Sequence, residues 1–262
     1  MLEFLKESSF RASDVIIRAL GILKRHYISV AGICFLLFVT YNLSAFLAMY
    51  MANSMDLVKL LMFALFVILF FSLQLALIKR AILLAQRVEH TDLVNYVPTV
   101  KQFLNFISGL VLYSLLVGVV YVLCSVVAWP LLYMGVPMET ISFEINPFLT
   151  GIVMIFILIR ISFFPFFILV NSFNVFRACR LSVAFTKGNV SNLLILMFGL
   201  AFTHILQVTF EYFEYSVLAK IFSILNTFIV IPLVSLVMAI AYMDMIQEYK
   251  GSDDPKLFKN II

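Results

Sequence analysis

Charged residues are scarce in this sequence. Only 12% of its 262 residues are Asp, Glu, Lys or Arg, whereas 64% are hydrophobic. Because an ordinary soluble domain has about 25% charged residues, this chain has too few of them to cover a water-facing surface. We therefore predict an integral membrane protein and exclude a soluble globular domain.

Paired cysteines, metal-binding clusters and catalytic motifs are also lacking. The three cysteines, Cys34, Cys124 and Cys179, have no spacing typical of a disulfide or a metal site. Gly-x-Ser-x-Gly, His-Glu-x-x-His and a glycine-rich phosphate loop are all absent from the sequence. We predict no metal, no cofactor and no enzymatic activity. The basic residues are spread over several segments, which argues against a nucleic-acid partner.

Six long apolar runs dominate what is present. A helix needs about 20 apolar residues to cross the hydrocarbon core of a bilayer. The runs of that length cover residues 28–51, 60–78, 103–129, 148–170, 193–210 and 221–243. We predict an all-α, polytopic protein with six transmembrane helices in a single membrane domain, residues 1–262. Residues 10–26 form a predicted interfacial amphipathic helix, and residues 244–262 form a tail.

Lysine and arginine are distributed unevenly around the six runs. Fifteen of the eighteen flank the runs on the side of the two termini, while Lys59 and Lys220 lie on the other side and Arg160 lies within the fourth run. Cytoplasmic segments of membrane proteins carry an excess of these two residues. We therefore predict that both termini are cytoplasmic.

Basic amphipathic segments precede the first, third and fifth runs. They start near residues 10, 90 and 172, which is a spacing of about 80 residues. This spacing favours three parallel units, each with a cytoplasmic interfacial helix and a hairpin of two spans. The alternative, that basic segments simply flank unrelated spans, stays open.

Arg160 is the only charged residue deep inside an apolar run. It follows Phe148 by twelve residues, which predicts a depth of about 18 Å at a rise of 1.5 Å per residue. A charge there costs about 2.5–3.5 kcal/mol, so Arg160 should face the interior of the bundle. Its predicted partners are polar residues at similar depth, namely His204, Gln74, Gln207 and Thr203. A polar chamber for an anionic group and a structural hydrogen-bond network both remain possible interpretations.

Two prolines interrupt the apolar runs, Pro165 in the fourth and Pro232 in the sixth. Proline has no N–H to donate and crowds the carbonyl four residues earlier. We therefore predict a kink in each of these two spans.

Three stretches carry a resemblance to a known family. They are SDVIIRALGILKRHYISVAGICFLL, the stretch from Arg160 to Asn189, and AIAYMDMIQEYKGS. These stretches are similar to the YciC-like proteins and to the membrane domain that precedes the catalytic domain of some glycerophosphodiester phosphodiesterases. The resemblance covers nearly the whole chain. It implies a six-span protein of the bacterial inner membrane, from a family that is largely uncharacterised.

The middle stretch is the most specific part of this resemblance. The family has a basic residue before a proline, then Ala-x-x-x-Ser and a basic residue followed by glycine. These places are taken by Arg160, Pro165, Ala178, Ser182, Lys187, Gly188 and Asn189. We interpret Ala178, Ser182, Gly188 and Asn189 as an elbow, at which a surface helix turns into the fifth span.

Basic residues of the surface segments are candidates for binding anionic lipid of the inner leaflet. Each lysine or arginine near such a surface contributes about 1 kcal/mol of attraction. The candidates are Arg18, Lys24, Arg25, Arg177, Arg180 and Lys187.

These patterns favour a non-enzymatic inner-membrane protein that handles lipid or another amphiphile, as a transport or assembly component. Its expected partners are membrane lipids, including anionic phospholipid. Two alternatives stay open: a scaffold that docks another membrane or cytoplasmic protein, and a secondary transporter for a small anion.

Overall fold

The computed structural model describes residues 12–50, 55–88 and 93–250, with side chains up to Ile246. These ranges are almost entirely helical and contain no strand, so the predicted all-α class is confirmed. Residues 10 and 11 of the predicted interfacial helix, residue 51 of the first run and residues 251–262 of the tail lie outside the described residues.

Ten α-helices follow one another in the described ranges. They are α1 (Ala12–Tyr50), α2 (Asp56–Ala85), α3 (Val100–Ala128), α4 (Met138–Thr140), α5 (Asn146–Ile161), α6 (Phe164–Asn171), α7 (Val175–Phe185), α8 (Val190–Tyr212), α9 (Ser216–Leu225) and α10 (Ile231–Lys250). Short 3-10 turns connect some of them, and π-helical turns cover Ile141–Ile145 and Asn226–Val230.

Six helical segments are long and apolar enough to cross a membrane. They cover Ala12–Tyr50, Asp56–Ala85, Val100–Met134, Met138–Asn171, Val190–Tyr212 and Ser216–Ile246. Apart from residue 51, each predicted run lies within one of these segments. The prediction of a multi-pass membrane protein with six spans is therefore confirmed.

Consecutive spans pack as three hairpins, α1 with α2, α3 with α5, and α8 with α9. Helix α10 packs against both α1 and α2 and joins the third hairpin to the first. The main hydrophobic core lies at one end of the molecule. There the start of α1 and the end of α2 pack together with α6, α7 and α10. We call this end of the molecule the packed end.

The opposite end, which we call the open end, has few contacts beyond each hairpin. Helix α1 buries no apolar residue after Leu37, α2 buries none before Leu75, and α8 buries none after Leu196. A small cluster of Val120, Cys124 and Met154 joins only α3 and α5. Because most apolar side chains point outward there, the open end depends on lipid as its solvent.

The predicted interfacial helix is continuous with the first span. Helix α1 changes direction at His26, whose φ of −118° and ψ of 22° are not helical. Before His26, the side chains of Val15, Ala19 and Leu23 are buried in the main core. Their spacing of four residues defines one face of a helix. The amphipathic pattern of this segment therefore serves packing against protein.

Pro165 divides the fourth span into two helices. Helix α5 ends at Ile161, and α6 begins at Phe164 with Pro165 in its first turn. A proline is accommodated there because the N–H groups of a first turn have no partner within the helix. The chain is therefore broken at the position where the sequence predicts a kink.

Helix α6 forms the centre of the packed end. Its residues from Pro165 to Leu169 are all buried. The rings of Phe163, Phe166 and Phe167 surround Tyr242 of α10, with centroid distances of 6.2, 5.4 and 5.2 Å. The last third of the fourth apolar run is thus protein core and not a lipid-facing span.

Ser182 of α7 joins the two sides of this break. Its hydroxyl donates to the carbonyl of Arg160 at 2.9 Å and accepts from the N–H of Phe163 at 3.1 Å. The hydroxyl of Thr186 lies 3.2 Å from the same carbonyl. Because buried backbone groups without partners are costly, Ser182 stabilises the break and holds α7 against it.

Pro232 follows a π-helical turn in the sixth span. The turn Asn226–Val230 ends two residues before this proline, and the turn Ile141–Ile145 likewise ends two residues before Pro147 in the fourth span. A π-helical turn accommodates the hydrogen bond that proline cannot make. The irregularity predicted at Pro232 in the sixth span is therefore this π-helical turn.

A buried asparagine accompanies each π-helical turn. Asn226 donates to Oε1 of Gln207 in α8 at 2.7 Å, and Asn146 donates to Oγ of Ser125 in α3 at 2.5 Å. Each bond ties a returning helix to its partner in the same hairpin. The two asparagines are 80 residues apart, which supports the predicted repeat for the second and third hairpins; α2 of the first hairpin is unbroken.

We predict that Ser182→Ala lowers the free energy of unfolding by about 1–3 kcal/mol, because it leaves a buried N–H without its partner. Ser108→Ala is the control, since the Ser108 hydroxyl is exposed and donates only to Leu104 of its own helix. Denaturant titration in detergent micelles measures both. Equal effects of the two substitutions would contradict the role of Ser182.

Candidate functional site

Arg160 lies in the last turn of α5, level with the turn between α7 and α8. The contact with Thr186 fixes this level, because Thr186 precedes the first residue of α8 by four residues. Helix α8 has 23 residues, which gives about 34 Å, so nearly its whole length is needed to cross a core of about 30 Å. Arg160 therefore lies at the level of the packed-end start of α8, and its depth in the membrane stays a prediction.

The predicted partners of Arg160 do not meet it. His204 is fourteen residues beyond Val190, about 21 Å towards the open end, and is exposed. Gln207, further along α8, bonds to Asn226 instead. Thr203 Oγ1 is buried without a hydrogen-bond partner in the described residues. These three side chains are thus remote from the arginine.

No polar chamber forms around the Arg160 side chain. The guanidinium is half-buried, and no described residue accepts a hydrogen bond from it or forms an ion pair with it. Gln74, the remaining predicted partner, is half-buried in α2. The part of the fourth run that follows Arg160 is buried from Pro165 to Leu169 in the core of the packed end.

The elbow residues serve the packed end in different ways. Ser182 and Asn189 are buried, and Ala178 packs in the main core. Gly188 is exposed at the start of the fifth span. Of these four, Ser182 has the clearest role, since it bridges the break at Pro165.

The three basic residues of the α7 region are dispersed. The Arg177 guanidinium stacks on the ring of Phe173 at 4.2 Å, while Arg180 and Lys187 are exposed. Burial raises the pKa of the Cys179 thiol, so this cysteine is less ionised at neutral pH than a free one.

A cleft of about 680 Å³ at the packed end brings other basic residues together. Helix α1 contributes Arg18, Arg25 and His26 on one face, at spacings of seven and eight residues. The end of α2 contributes Arg87, and α10 contributes Asp244. We call this site the basic cleft. Its walls also contain apolar residues of all three helices.

Asp244 neutralises one of the arginines of the basic cleft. The two terminal nitrogens of Arg18 face the two carboxylate oxygens of Asp244, with Nη1–Oδ1 at 3.1 Å. The Arg18 side chain is 51% exposed, so this pair is worth at most about 1 kcal/mol. Arg25 and Arg87 remain without a carboxylate partner among the described residues.

Arg87 has a strained backbone. It follows the end of α2 in the left-handed region, with a φ of 62°. Its N–H donates to Leu84 and the N–H of Val88 donates to Leu83, which is the Schellman pattern that ends many helices. Glycine usually occupies this position because other residues are destabilised there.

Lys24 lies outside the basic cleft. It lines a shallower depression of about 420 Å³ beside it, together with Arg25 and His26. Of the six predicted lipid-binding residues, Arg18 and Arg25 line the basic cleft, and Lys24 and Arg25 line the depression beside it. Among the described residues, no group of three or more His, Cys, Asp or Glu could hold a metal ion.

Sequence reasoning missed Arg87 and the pairing of Asp244 with Arg18. Arg87 is 62 residues from Arg25, and only the packing of α2 on α1 brings them together. The run VEH after Arg87 has neither glycine nor asparagine, so the usual signal of a left-handed helix end was absent. Comparisons with protein-family models, curated proteins and solved structures found no match.

We predict that Arg87→Gly raises the free energy of unfolding by about 0.5–1 kcal/mol, because glycine adopts a positive φ without strain. Arg180→Gly is the control, and it should lower the free energy of unfolding. It lies inside α7, where glycine should destabilise by about 1 kcal/mol. Thermal unfolding in detergent measures both. If Arg87→Gly lowered the free energy of unfolding, the claim that the backbone of Arg87 is strained would be wrong.

Proposed function

We propose that this protein is a non-enzymatic lipid-handling component of the bacterial inner membrane, and that its basic cleft binds the headgroup of an anionic phospholipid. The observation that carries the proposal is the meeting of Arg25 and Arg87 in one cleft, without a carboxylate partner for either in the described part of the chain. The resemblance to YciC-like proteins is compatible with this role but assigns no ligand.

The depth of the basic cleft supports a headgroup as its ligand. Helix α2 runs unbroken from Lys59, near its start, to Leu84 in the cleft, a distance of 25 residues or about 38 Å. A bilayer is about 40–45 Å thick including its headgroups. With Lys59 at one surface, the cleft therefore lies among the headgroups of the other. The excess of lysine and arginine on that side predicts that it is cytoplasmic.

The chemistry of the basic cleft fits a phosphate. Arginine presents a planar fork of N–H groups that bonds two phosphate oxygens at once. Glycine would end α2 at a lower free-energy cost than Arg87 does. The presence of an arginine there therefore favours a role for its side chain. The apolar walls of the cleft fit the adjoining glycerol and the first carbons of the acyl chains.

The alternative of a small-anion transporter has less support. It requires a polar pathway within the membrane, beginning with further polar groups beside Arg160. No described residue bonds to that guanidinium, and His204 is exposed. Lipid handling at the packed end needs no such pathway.

We predict that Arg25→Gln lowers the retention of phosphatidylglycerol by about fivefold, the effect of losing about 1 kcal/mol of attraction. Retention of zwitterionic phosphatidylcholine should stay unchanged. Arg180→Gln is the matched control, since Arg180 is an exposed arginine outside the cleft. Native mass spectrometry of protein purified from mixed-lipid vesicles gives the counts.

Two results would contradict the proposal. One is equal retention of phosphatidylglycerol by wild type and Arg25→Gln. The other is an equal loss in Arg25→Gln and Arg180→Gln, which would show that general surface charge, and not the cleft, attracts the lipid.

A further inference from the structure

A groove of about 720 Å³ opens between α1 and α2 at the open end, far from the basic cleft. Its α1 wall contains the small residues Ser44, Ala45 and Ala48, and its α2 wall contains phenylalanines including Phe66 and Phe70. The small side chains leave space that the phenylalanines do not fill. A cavity of this size lies in the range that binds small molecules.

Two hydroxyl groups in the lining of the groove donate within their own helix. The Thr40 hydroxyl donates to the carbonyl of Leu36 at 2.7 Å, and the Ser44 hydroxyl donates to the carbonyl of Tyr41 at 2.7 Å. A ligand therefore gains little from hydrogen bonding along the walls. The lining fits a hydrocarbon chain.

The length of the groove matches one leaflet of a bilayer. It extends along α2 from Lys59 to Phe71, which is twelve residues or about 18 Å. One leaflet contributes about half of a hydrocarbon core of about 30 Å.

A single lysine lies at the end of the groove nearest the membrane surface. Lys59 Nζ is 3.3 Å from Asp56 Oδ1, but the Asp56 side chain is fully exposed. Such a surface pair is weak and exchanges readily with another anion. A phosphate at this end would meet a lysine, while its acyl chain follows the apolar walls.

We propose that this groove binds one acyl chain of an anionic phospholipid, with the phosphate of the lipid against Lys59. The lipid belongs to the leaflet opposite the basic cleft. The second acyl chain remains in the bilayer, since the groove is open on one side. This site shares no residue with the basic cleft and does not depend on it.

Filling the groove tests the proposal. Ala48→Phe places a ring in the space for the acyl chain, whereas Ala64→Phe adds the same ring to an exposed position of α2 outside the groove. Phosphatidylglycerol carrying a diazirine in its acyl chain serves as the probe in vesicles. We expect strong labelling of the groove residues in wild type and Ala64→Phe, and its loss in Ala48→Phe.

The phosphate contact is tested separately with Lys59→Gln. This substitution should lower labelling of the groove by phosphatidylglycerol about fivefold, as losing about 1 kcal/mol of attraction predicts. Labelling by the corresponding phosphatidylcholine probe should not change. Equal lowering for both probes would overturn the assignment of the phosphate to Lys59.

Peptide mapping of the labelled wild-type protein locates the adducts without any substitution, so this test does not require a variant to fold. Adducts should concentrate on the groove faces of α1 and α2. Adducts spread evenly over the lipid-facing residues, Ala64 included, would overturn the proposal. In Arg25→Gln the groove labelling should persist, so failure of the basic cleft and failure of the groove are distinguishable.

Discussion

The hydroxyl of Ser182 joins a broken transmembrane segment to a helix that does not cross the membrane, and the packed end depends on this contact. The break at Pro165 frees backbone groups that lipid cannot satisfy, because hydrocarbon offers no hydrogen-bond partner. Ser182 provides both a donor and an acceptor at this point. With α7 held there, α6 can turn inward and bury its aromatic side chains around Tyr242.

This constraint also positions the proposed lipid site. The core around α6 and Tyr242 holds α10 in place, and α10 packs on both α1 and α2. The basic residues of the cleft are thereby brought together from helices that are far apart in sequence. The described residues of the open end form no comparable core, and the hairpins present apolar surfaces and a groove to the lipid. The two proposed sites thus differ in chemistry: the basic cleft would bind a charged headgroup, and the groove would bind an acyl chain.

The sequence predicted the number of spans because apolar runs of about 20 residues have few other uses. It also predicted the irregularities at Pro165 and Pro232, which follow from the chemistry of proline. It did not predict which residues surround Arg160, because an apolar run does not distinguish side chains that face lipid from side chains buried in protein. Phe163 and Phe167 look like membrane residues in sequence but lie in a protein core. The sequence identified Arg18 and Arg25 as candidates because basic residues recur every seven positions in that segment. It did not identify Arg87, because only the packing of α2 on α1 brings Arg87 close to them.

The central claim is that the basic cleft holds a phospholipid headgroup at the membrane surface. A density map of the protein in nanodiscs of phosphatidylglycerol tests it most directly. We expect density for a phosphate within hydrogen-bond distance of both Arg25 and Arg87, continuous with acyl chains that enter the bilayer. A well-resolved cleft without lipid density, with both guanidinium groups turned towards water, would contradict the account.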